Sequence, residues 1–419
     1  MTRSKRLSRR RFLGQGARIA AGALAGPVMI PSGVLGAPGQ PGANDRIGVG
    51  YVGVGRRAQQ LMGLPGGAQI VAISDVYRKR LDEVGKGKKW RAYDDYRKML
   101  ESNDVDAVII ATPDHWHALP AVHACQAGKD VYVEKPLSLT IREGRAMAQA
   151  ARKYERVFQT GSQQRSMKEC RVGCELVRNG RAGTIHTVHG NNYPSPWDCT
   201  LPEQPVPEGL NWDMWLGQTP VRPYHTDIYL PRANPGWISF RPWSGGEMTG
   251  WGAHGLDIIQ WALGADETGP VEVWPEGKGL KCPVAFRYAN GPTVYLDNKG
   301  PAGGAVFVGT EGRILVDRGK FTAEPEAIAK EPLADSDVRL YESSNHLGNW
   351  IDCIRSRKRP IADVEIGHRS CTLCHLGNIA RWTGRKLRWD PETEVFPGDD
   401  EANAFIERPM RAPWQLPTI

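Results

Sequence analysis

The 419-residue sequence lacks three features that would place it in a simple class. It has no apolar run long enough to span a bilayer, since the longest candidate, residues 19–30, is interrupted by Gly22, Gly26 and Pro27. Its eight cysteines are scattered through a large chain, which argues against a small scaffold held together by disulfides. Outside the first 37 residues it also lacks an excess of charge of either sign.

The net charge of +8 comes from the N-terminal stretch 1–37, which carries seven basic residues and no acidic one. Removing those seven leaves 47 basic residues against 46 acidic ones. The body of the protein is therefore near neutral, and its charge gives no reason to expect binding to nucleic acid or to a membrane surface. A chain of this length is expected to form two domains, each with its own core.

Residues 1–43 have the composition of an export leader followed by a linker. Ser8 to Gly14 read Ser-Arg-Arg-Arg-Phe-Leu-Gly, which resembles the twin-arginine export signal, and the apolar run follows directly. Glycine, proline and alanine then dominate residues 36–43. This order predicts recognition by the twin-arginine translocation machinery, which carries folded proteins, and a periplasmic or extracytoplasmic location.

A glycine-rich turn follows the first strongly apolar stretch of the body. Residues 46–54 are typical of a buried strand and run into Gly53-Val54-Gly55-Arg56-Arg57-Ala58, which matches G-x-G-x-x-G/A. Such a turn bends at its first glycine and lets a pyrophosphate approach at its second. The next predicted strand, residues 68–74, ends at Asp75, an acid suited to hold an adenosine ribose. The carboxylate favours NAD over the alternative NADP, because it would repel a 2′-phosphate.

Two later strands, residues 105–110 and 131–133, are predicted to end at the same edge of a parallel sheet. Ligands bind at that edge in open α/β folds. A lysine placed there is suited to polarise or deprotonate a hydroxyl group. The candidate side chains are Thr112, Pro113 and His117 after the first strand, and Glu134 and Lys135 after the second.

Two domains are predicted from the change in character along the chain. Residues 44–162 alternate strands and helices, which predicts an α/β Rossmann domain with a doubly wound parallel sheet. Residues 163–419 are rich in tryptophan and proline and combine strand-like runs with helices, which predicts an α+β domain. Some of its aromatic rings are candidates for stacking on a sugar, although most are expected in the core.

Cys371-Thr372-Leu373-Cys374-His375 matches the attachment pattern of haem c. The surrounding residues 366–382, however, have the periodicity of an amphipathic helix, with apolar side chains on one side. We therefore interpret the match as a coincidence within a core helix. The motifs predict no metal site.

The combination of motifs resembles the Gfo/Idh/MocA oxidoreductases, named for glucose–fructose oxidoreductase, inositol dehydrogenase and rhizopine catabolism. The resemblance covers nearly all of the chain after residue 44. It implies a C-terminal domain with an open, largely antiparallel sheet that mediates homodimers or homotetramers. The matching segments are Gly53-Val54-Gly55, Asp75, Ala111-Thr112-Pro113 with His117, Glu134-Lys135-Pro136, and Gly252-Ala253-His254-Gly255-Leu256-Asp257.

The resemblance also implies the residues of the site. Lys135 and His254 would be catalytic, with His254 as general base and Lys135 stabilising the developing alkoxide. The substrate would be a sugar, cyclitol or derivative, with Gln164, Trp251 and Asp257 as candidate contacts. A tightly bound NAD, or NADP, would contact Gly53, Gly55, Arg56, Asp75, Thr112, Pro113, His117, Glu134 and Lys135.

One position departs from the family pattern. Many relatives carry an aspartate four residues before the histidine, and this chain has Gly250 there. We expect one of three consequences: Glu247 or Asp257 takes over the role of the aspartate, the substrate binds in a different pose, or the dehydrogenase activity is weak. Asp257, one helical turn beyond His254, is expected either to orient the imidazole or to serve structure alone.

Two other functions are open on the sequence. An NAD-dependent glycoside hydrolase oxidises a sugar carbon transiently, eliminates the leaving group and returns the hydride. The glycosidases compared lack the lysine of the Glu-Lys-Pro segment, so Lys135 favours a dehydrogenase. The departure from the family pattern at Gly250, however, leaves the hydrolase as an alternative. A non-catalytic carbohydrate-binding protein on the same fold is the third alternative, against which Lys135 and His254 both argue.

Overall fold

The structure is a computed structural model that describes residues 45–230 and 235–419. The leader and linker predicted over residues 1–43 lie outside the described residues. From Ile47 onward the chain contains two sheets with helices packed on them. In the described ranges, none of the helices has both the length and the apolar character needed to cross a membrane.

The first sheet is parallel and has the strand order β3-β2-β1-β4-β5-β6. Every residue of β1 is buried, as expected for a parallel strand covered on both faces. The order of the sheet reverses between β1 and β4, and this confirms the predicted doubly wound fold. The strands are β1 (Ile47–Val52), β2 (Ala68–Ser74), β3 (Arg91–Tyr93), β4 (Ala107–Ile110), β5 (Asp130–Val133) and β6 (Phe158–Thr160).

Helices connect these strands. The last of these helices, Ile141–Lys153, begins with a capping box. In it the Thr140 hydroxyl accepts from the Glu143 amide, while the Glu143 carboxylate accepts from the Thr140 amide. One-turn 3₁₀ helices follow β4 (Asp114–Trp116) and β6 (Gln163–Ser166). The α-helices are α1 (Arg56–Gln60), α2 (Arg78–Gly85), α3 (Tyr96–Leu100), α4 (Ala118–Gln126) and α5 (Ile141–Lys153).

The second sheet has the order β13-β12-β11-β7-β10-β9-β8-β14. Its pairs are antiparallel except for β7 with β10, which confirms the largely antiparallel sheet that the resemblance implied. Its strands are β7 (Ile185–Gly190), β8 (Glu272–Pro275), β9 (Val284–Arg287), β10 (Thr293–Leu296), β11 (Ala305–Gly309), β12 (Arg313–Asp317), β13 (Lys320–Glu324) and β14 (Leu387–Arg388).

Three of the helices that follow, α6, α10 and α13, share one hydrophobic core with this sheet. In β12 the alternate residues Ile314 and Val316 are buried in that core, while Leu315 between them is only half-buried. The helices are α6 (Lys168–Arg178), α7 (Trp212–Leu216), α8 (Thr226–Tyr229), α9 (Glu247–Gly250), α10 (Gly252–Leu263), α11 (Ala327–Lys330), α12 (His346–Ser356), α13 (Val364–Thr383) and α14 (Asp400–Asn403).

The haem-like motif lies inside α13. Cys371, Cys374 and His375 are all buried, and the Cys371 Sγ atom is 3.3 Å from His375 Nε2. Burial raises the pKa of the Cys371 thiol to about 11 and lowers the pKa of the His375 imidazole to about 3. These side chains are part of the core, in agreement with the interpretation of the match as a coincidence.

Candidate functional site

A cleft of about 470 Å³ opens where β1, β4 and β5 end. The loops after these strands form one wall, and residues of the second domain form the other. A crevice at this switch point of the sheet is the usual ligand site of open α/β folds. The sequence-predicted residues that line it are Gly53, Gly55, Arg56, Asp75, Thr112, Pro113, His117, Glu134, Lys135, Trp251 and His254.

The turn after β1 has the geometry that its glycines predict. Gly53 has a φ of 78°, and a β-carbon there would meet the Thr112 methyl carbon at 2.9 Å. A β-carbon on Gly55 would have nothing nearer than Arg80 Nη1 at 4.0 Å, because this side of the turn opens into the cleft. The opening lets a diphosphate approach the backbone closely, so the turn fits a dinucleotide.

Asp75, directly after β2, is held by the backbone beside this turn. Its Oδ2 atom accepts from the Val54 amide at 2.9 Å, and its Oδ1 atom accepts from the Tyr77 amide at 3.0 Å. Arg80 pairs with the same carboxylate at 3.3 Å and donates to the Tyr229 hydroxyl. The acid is therefore fixed in place at the expected ribose position, with a cation next to it.

His117 joins the two loops that follow β4 and β5. Its Nδ1 atom lies 2.7 Å from the Pro136 carbonyl oxygen, and its Nε2 atom lies 3.1 Å from that of Thr112. The Thr112 hydroxyl in turn donates to the Trp116 carbonyl at 3.0 Å. His117 is 1 % exposed. Its buried ring therefore fixes the positions of the two loops relative to each other where they line the cleft.

Glu134 lies at the end of β5 and accepts several hydrogen bonds. Its Oε1 atom accepts from Arg57 Nη2 at 2.9 Å and from Gln163 Nε2 at 2.8 Å. The Tyr132 hydroxyl is 3.4 Å from the same oxygen. Because this carboxylate is paired and buried, it holds the loop that presents Lys135 to the cleft.

Lys135 and His254 reach the cleft from different domains. The Lys135 ammonium donates to the Gly250 carbonyl, at the end of α9, at 2.9 Å. His254 lies one turn further along the chain in α10, and its ring is 5.8 Å from that of Trp251. Because Lys135 is bonded to the turn that precedes His254, the ammonium and the imidazole lie in the same part of the cleft.

Gly250 cannot be exchanged for aspartate without rearrangement. A β-carbon built there would meet Ile238 Cδ1 at 2.6 Å and Glu247 Oε2 at 2.9 Å. The main-chain carbonyl of Gly250 accepts from Lys135, so this part of the cleft has a peptide oxygen close to the lysine. Glu247 and Asp257 were the two candidates to replace the aspartate of relatives. Of these, Glu247 is the one that lies beside Gly250.

Asp257 belongs to a buried polar network and does not line the cleft. Its carboxylate accepts from Arg165 Nε at 2.9 and 3.0 Å and from the Ser370 hydroxyl at 2.7 Å. Arg165 is 1 % exposed and also pairs with Asp266 at 2.7 Å. These bonds favour a structural role for Asp257, the alternative to orienting the imidazole.

Two arginines at the cleft were not identified from the sequence. Arg57 lies within the glycine motif, and its pairing with Glu134 joins two distant segments of the chain. Arg318 lies between β12 and β13, where no motif marks it, and lines the cleft. Gln164, a predicted substrate contact, does not line the cleft but bonds Arg318 at 2.9 and 3.1 Å.

Comparisons with known proteins place both halves of the chain in one family. The Gfo/Idh/MocA model for an oxidoreductase family with an NAD-binding Rossmann fold matches residues 47–162. The model for the C-terminal alpha/beta domain of the same oxidoreductase family matches residues 173–416. The scyllo-inositol 2-dehydrogenase (NAD(+)) of Bacillus subtilis is 30% identical over 340 residues, which cover 75% of this chain and 86% of that protein.

Other similarities are shorter or more distant. Inositol 2-dehydrogenase of Salmonella paratyphi B is 30% identical over 169 residues, or 39% of this chain, and here the chain spans 48% of its relative's length. The crystal structure of the WlbA dehydrogenase from Bordetella pertussis, in complex with NADH and UDP-GlcNAcA, matches with a TM-score of 0.61 and 20% identity. That match covers 82% of this chain and 98% of the other, and it shows a common fold.

Proposed function

The chain belongs to the Gfo/Idh/MocA family of oxidoreductases, and from this premise we propose that it transfers hydride between NAD and a secondary hydroxyl of a sugar, cyclitol or sugar derivative. The observation that carries the proposal is that Lys135 and His254 line the same cleft as the glycine turn after β1. The inositol dehydrogenases among its relatives support a polyol of this kind.

The cofactor would be held by the groups at the switch point of the sheet. The open side of Gly55 would take the pyrophosphate, Asp75 the adenosine ribose, and the loop after β4 the nicotinamide end. When bound, the nicotinamide supplies the acceptor for the hydride. We propose NAD bound tightly, with NADP as the alternative because Arg80 offsets part of the charge of Asp75.

The chain's own residues handle the hydroxyl group of the substrate. As the carbinol carbon loses its hydride and the C=O bond forms, the hydroxyl proton passes to the His254 imidazole. The Lys135 ammonium donates to the same oxygen and stabilises its negative charge as the proton leaves. The Gly250 carbonyl, which accepts from Lys135, keeps the ammonium in position for this contact.

The proposal is tested by identifying first the nucleotide and then the product. The purified protein is denatured, the released nucleotide is identified, and the native protein is then screened with inositols, aldoses and glycosides for NADH formation and for released sugar. We expect NAD(H) in the extract and a keto product equal in amount to the NADH. A free sugar released from a glycoside with NAD unchanged would identify the hydrolase instead, and binding without any reaction would identify a non-catalytic protein.

Gly55→Val is expected to abolish nucleotide binding without unfolding the protein. The new side chain would fill the space into which the turn opens and would block hydrogen bonds to the pyrophosphate. Losing two bonds to a charged group predicts a Kd for NAD higher by at least about 100-fold. Gly63→Val is the matched control, because a β-carbon at Gly63 meets nothing within 4 Å. Isothermal titration measures the Kd for NAD of both variants. Undiminished affinity in Gly55→Val would contradict this placement of the cofactor.

We also propose that the protein is exported to the periplasm or another extracytoplasmic location by the twin-arginine machinery. The support is the order of the basic residues, Phe-Leu and the apolar run in residues 8–30. Replacing Arg9 and Arg10 together by lysine keeps the charge and is expected to leave the protein in the cytoplasmic fraction. Arg3→Lys, outside the pair, should be exported like the wild type. Export of the double variant would remove the basis of this proposal.

The open second sheet supports a homodimer or homotetramer. Its outward face carries apolar side chains that are only half-buried, among them Val306 and Leu315. Light scattering is expected to give two or four times the chain mass of 46.3 kDa. A molar mass equal to that of one chain would contradict this assembly.

A further inference from the structure

Arg318 is a cation at the substrate end of the cleft with no role in the chemistry described above. It lies in the turn between β12 and β13, and its guanidinium is 5.5 Å from the centre of the Trp251 ring. The same Trp251 ring is in contact distance of His254. Arg318 is therefore close to the place where the substrate hydroxyl is expected to bind.

The guanidinium of Arg318 is held in a fixed orientation. Its Nε and Nη2 atoms donate to the Gln164 Oε1 atom at 3.1 and 2.9 Å. Gln164 is 2 % exposed and is itself fixed, since its Nε2 atom donates to the Gly303 carbonyl at 2.6 Å. A side chain positioned in this way loses little further conformational entropy when it binds a ligand.

The two bonds to Gln164 occupy one edge of the guanidinium. The adjoining Nη1–Nη2 edge has the geometry to bind a carboxylate through two parallel hydrogen bonds. In the part of the chain that the structure describes, no acidic side chain forms an ion pair with Arg318. The arrangement therefore presents a directed pair of donors rather than a closed salt bridge.

The acids that line the cleft have partners other than Arg318. The acids that line the cleft are engaged elsewhere: Asp75 with Arg80, Asp94 with Arg78, and Glu134 with Arg57. Asp114 is buried against the Ser244 hydroxyl, and burial raises the pKa of its carboxyl. None of these four acids bonds Arg318, so its guanidinium charge is available to an anion beside Trp251.

We infer that the cleft selects a sugar that carries a carboxylate, an aldonic or uronic acid, and that Arg318 binds the carboxylate through its Nη1–Nη2 edge. This inference rests on the proposed function, because it assigns the substrate class to the same cleft. The two parallel donors of this planar edge match the two oxygens of a carboxylate. Arg318 is thus a residue that determines specificity and takes no part in hydride transfer.

The test compares matched sugars on matched variants of the NAD-loaded protein. Glucuronate, glucose and glucose 6-phosphate are titrated by isothermal calorimetry, which gives the Kd of each, and are then assayed for NADH formation. The variants are Arg318→Met, Arg318→Lys and the control Arg313→Met, an exposed residue of the same hairpin that pairs with Glu324 away from the cleft. Thermal melting confirms that each variant is folded.

We expect glucuronate to bind most tightly and Arg318→Met to raise its Kd about 10- to 100-fold, since charge-assisted bonds are lost. Arg318→Lys should raise the Kd for glucuronate by an intermediate factor. The Kd for glucose should be the same in all variants, and Arg313→Met should bind glucuronate like the wild type. A preference for glucose, unchanged glucuronate binding in Arg318→Met, or Arg318-dependent binding of glucose 6-phosphate instead would overturn the inference. Arg318-dependent binding of glucuronate without any NADH would support the inference while refuting the proposed function.

Discussion

Lys135→Met is expected to retain the nucleotide and to lose turnover. The ammonium lies at the carboxyl end of β5 and is bonded to the Gly250 carbonyl, where it would donate to the substrate oxygen. Methionine has a similar length and no donor, so the alkoxide charge that develops during hydride transfer is no longer stabilised. Removing one such donor predicts a fall in kcat of about 100- to 1000-fold.

The nucleotide content of this variant separates catalysis from folding. The groups assigned to the pyrophosphate and ribose, around Gly55 and Asp75, do not include the ammonium, so NAD should be released on denaturation in wild-type amount. Lys98→Met, at an exposed position of α3, is the matched control and should retain full activity. If Lys135→Met turned over normally, the role given to the lysine would be wrong.

His254→Ala is expected to lower kcat about 100- to 10,000-fold, the range that a positioned general base contributes. The imidazole is 8 % exposed and lies beside Trp251 at the cleft, where it is placed to accept the hydroxyl proton. A base must be unprotonated to act, so the wild-type rate should fall on the acid side of its pH profile. That fall should disappear from the residual activity of the variant.

The pH profile makes this prediction specific to proton transfer. His186→Ala changes an exposed histidine of β7 outside the cleft and should leave both the rate and its pH dependence unchanged. If His254→Ala lost activity but kept the acid limb of the wild-type profile, another group would be the base. Glu247, which lies beside Gly250, would then be the first residue to test.

Local sequence patterns were sufficient to predict the parallel first domain, whereas the largely antiparallel second sheet was implied by the family resemblance. Runs of β-branched residues such as Ala107–Ile110 are fully buried strands, and the parallel order of the first sheet follows from their alternation with helices. The glycine turn was predictable for the same reason, because the positive φ of Gly53 and the opening at Gly55 are requirements of the chain itself. The strand end indicated Lys135 and the resemblance added His254, and the structure places both in one cleft.

Contacts between distant segments could not be predicted in this way. Arg318 is fixed by Gln164, 154 positions earlier, and neither lies in a motif. Asp257 is at helical spacing from His254, which suggested a partnership, but buried Arg165 takes its carboxylate instead. Such pairings depend on how the second domain packs, and hydrophobic periodicity carries no information about them.

The most direct test of the central claim is the turnover of the double variant Lys135→Met/His254→Ala beside the two single variants. The claim is that the ammonium and the imidazole act together on one hydroxyl oxygen. Groups that work as a unit are not additive, so the double variant should lose about as much kcat as the more damaged single variant. If the two losses instead multiplied, each side chain would be acting independently, and a shared site of hydride transfer would be contradicted.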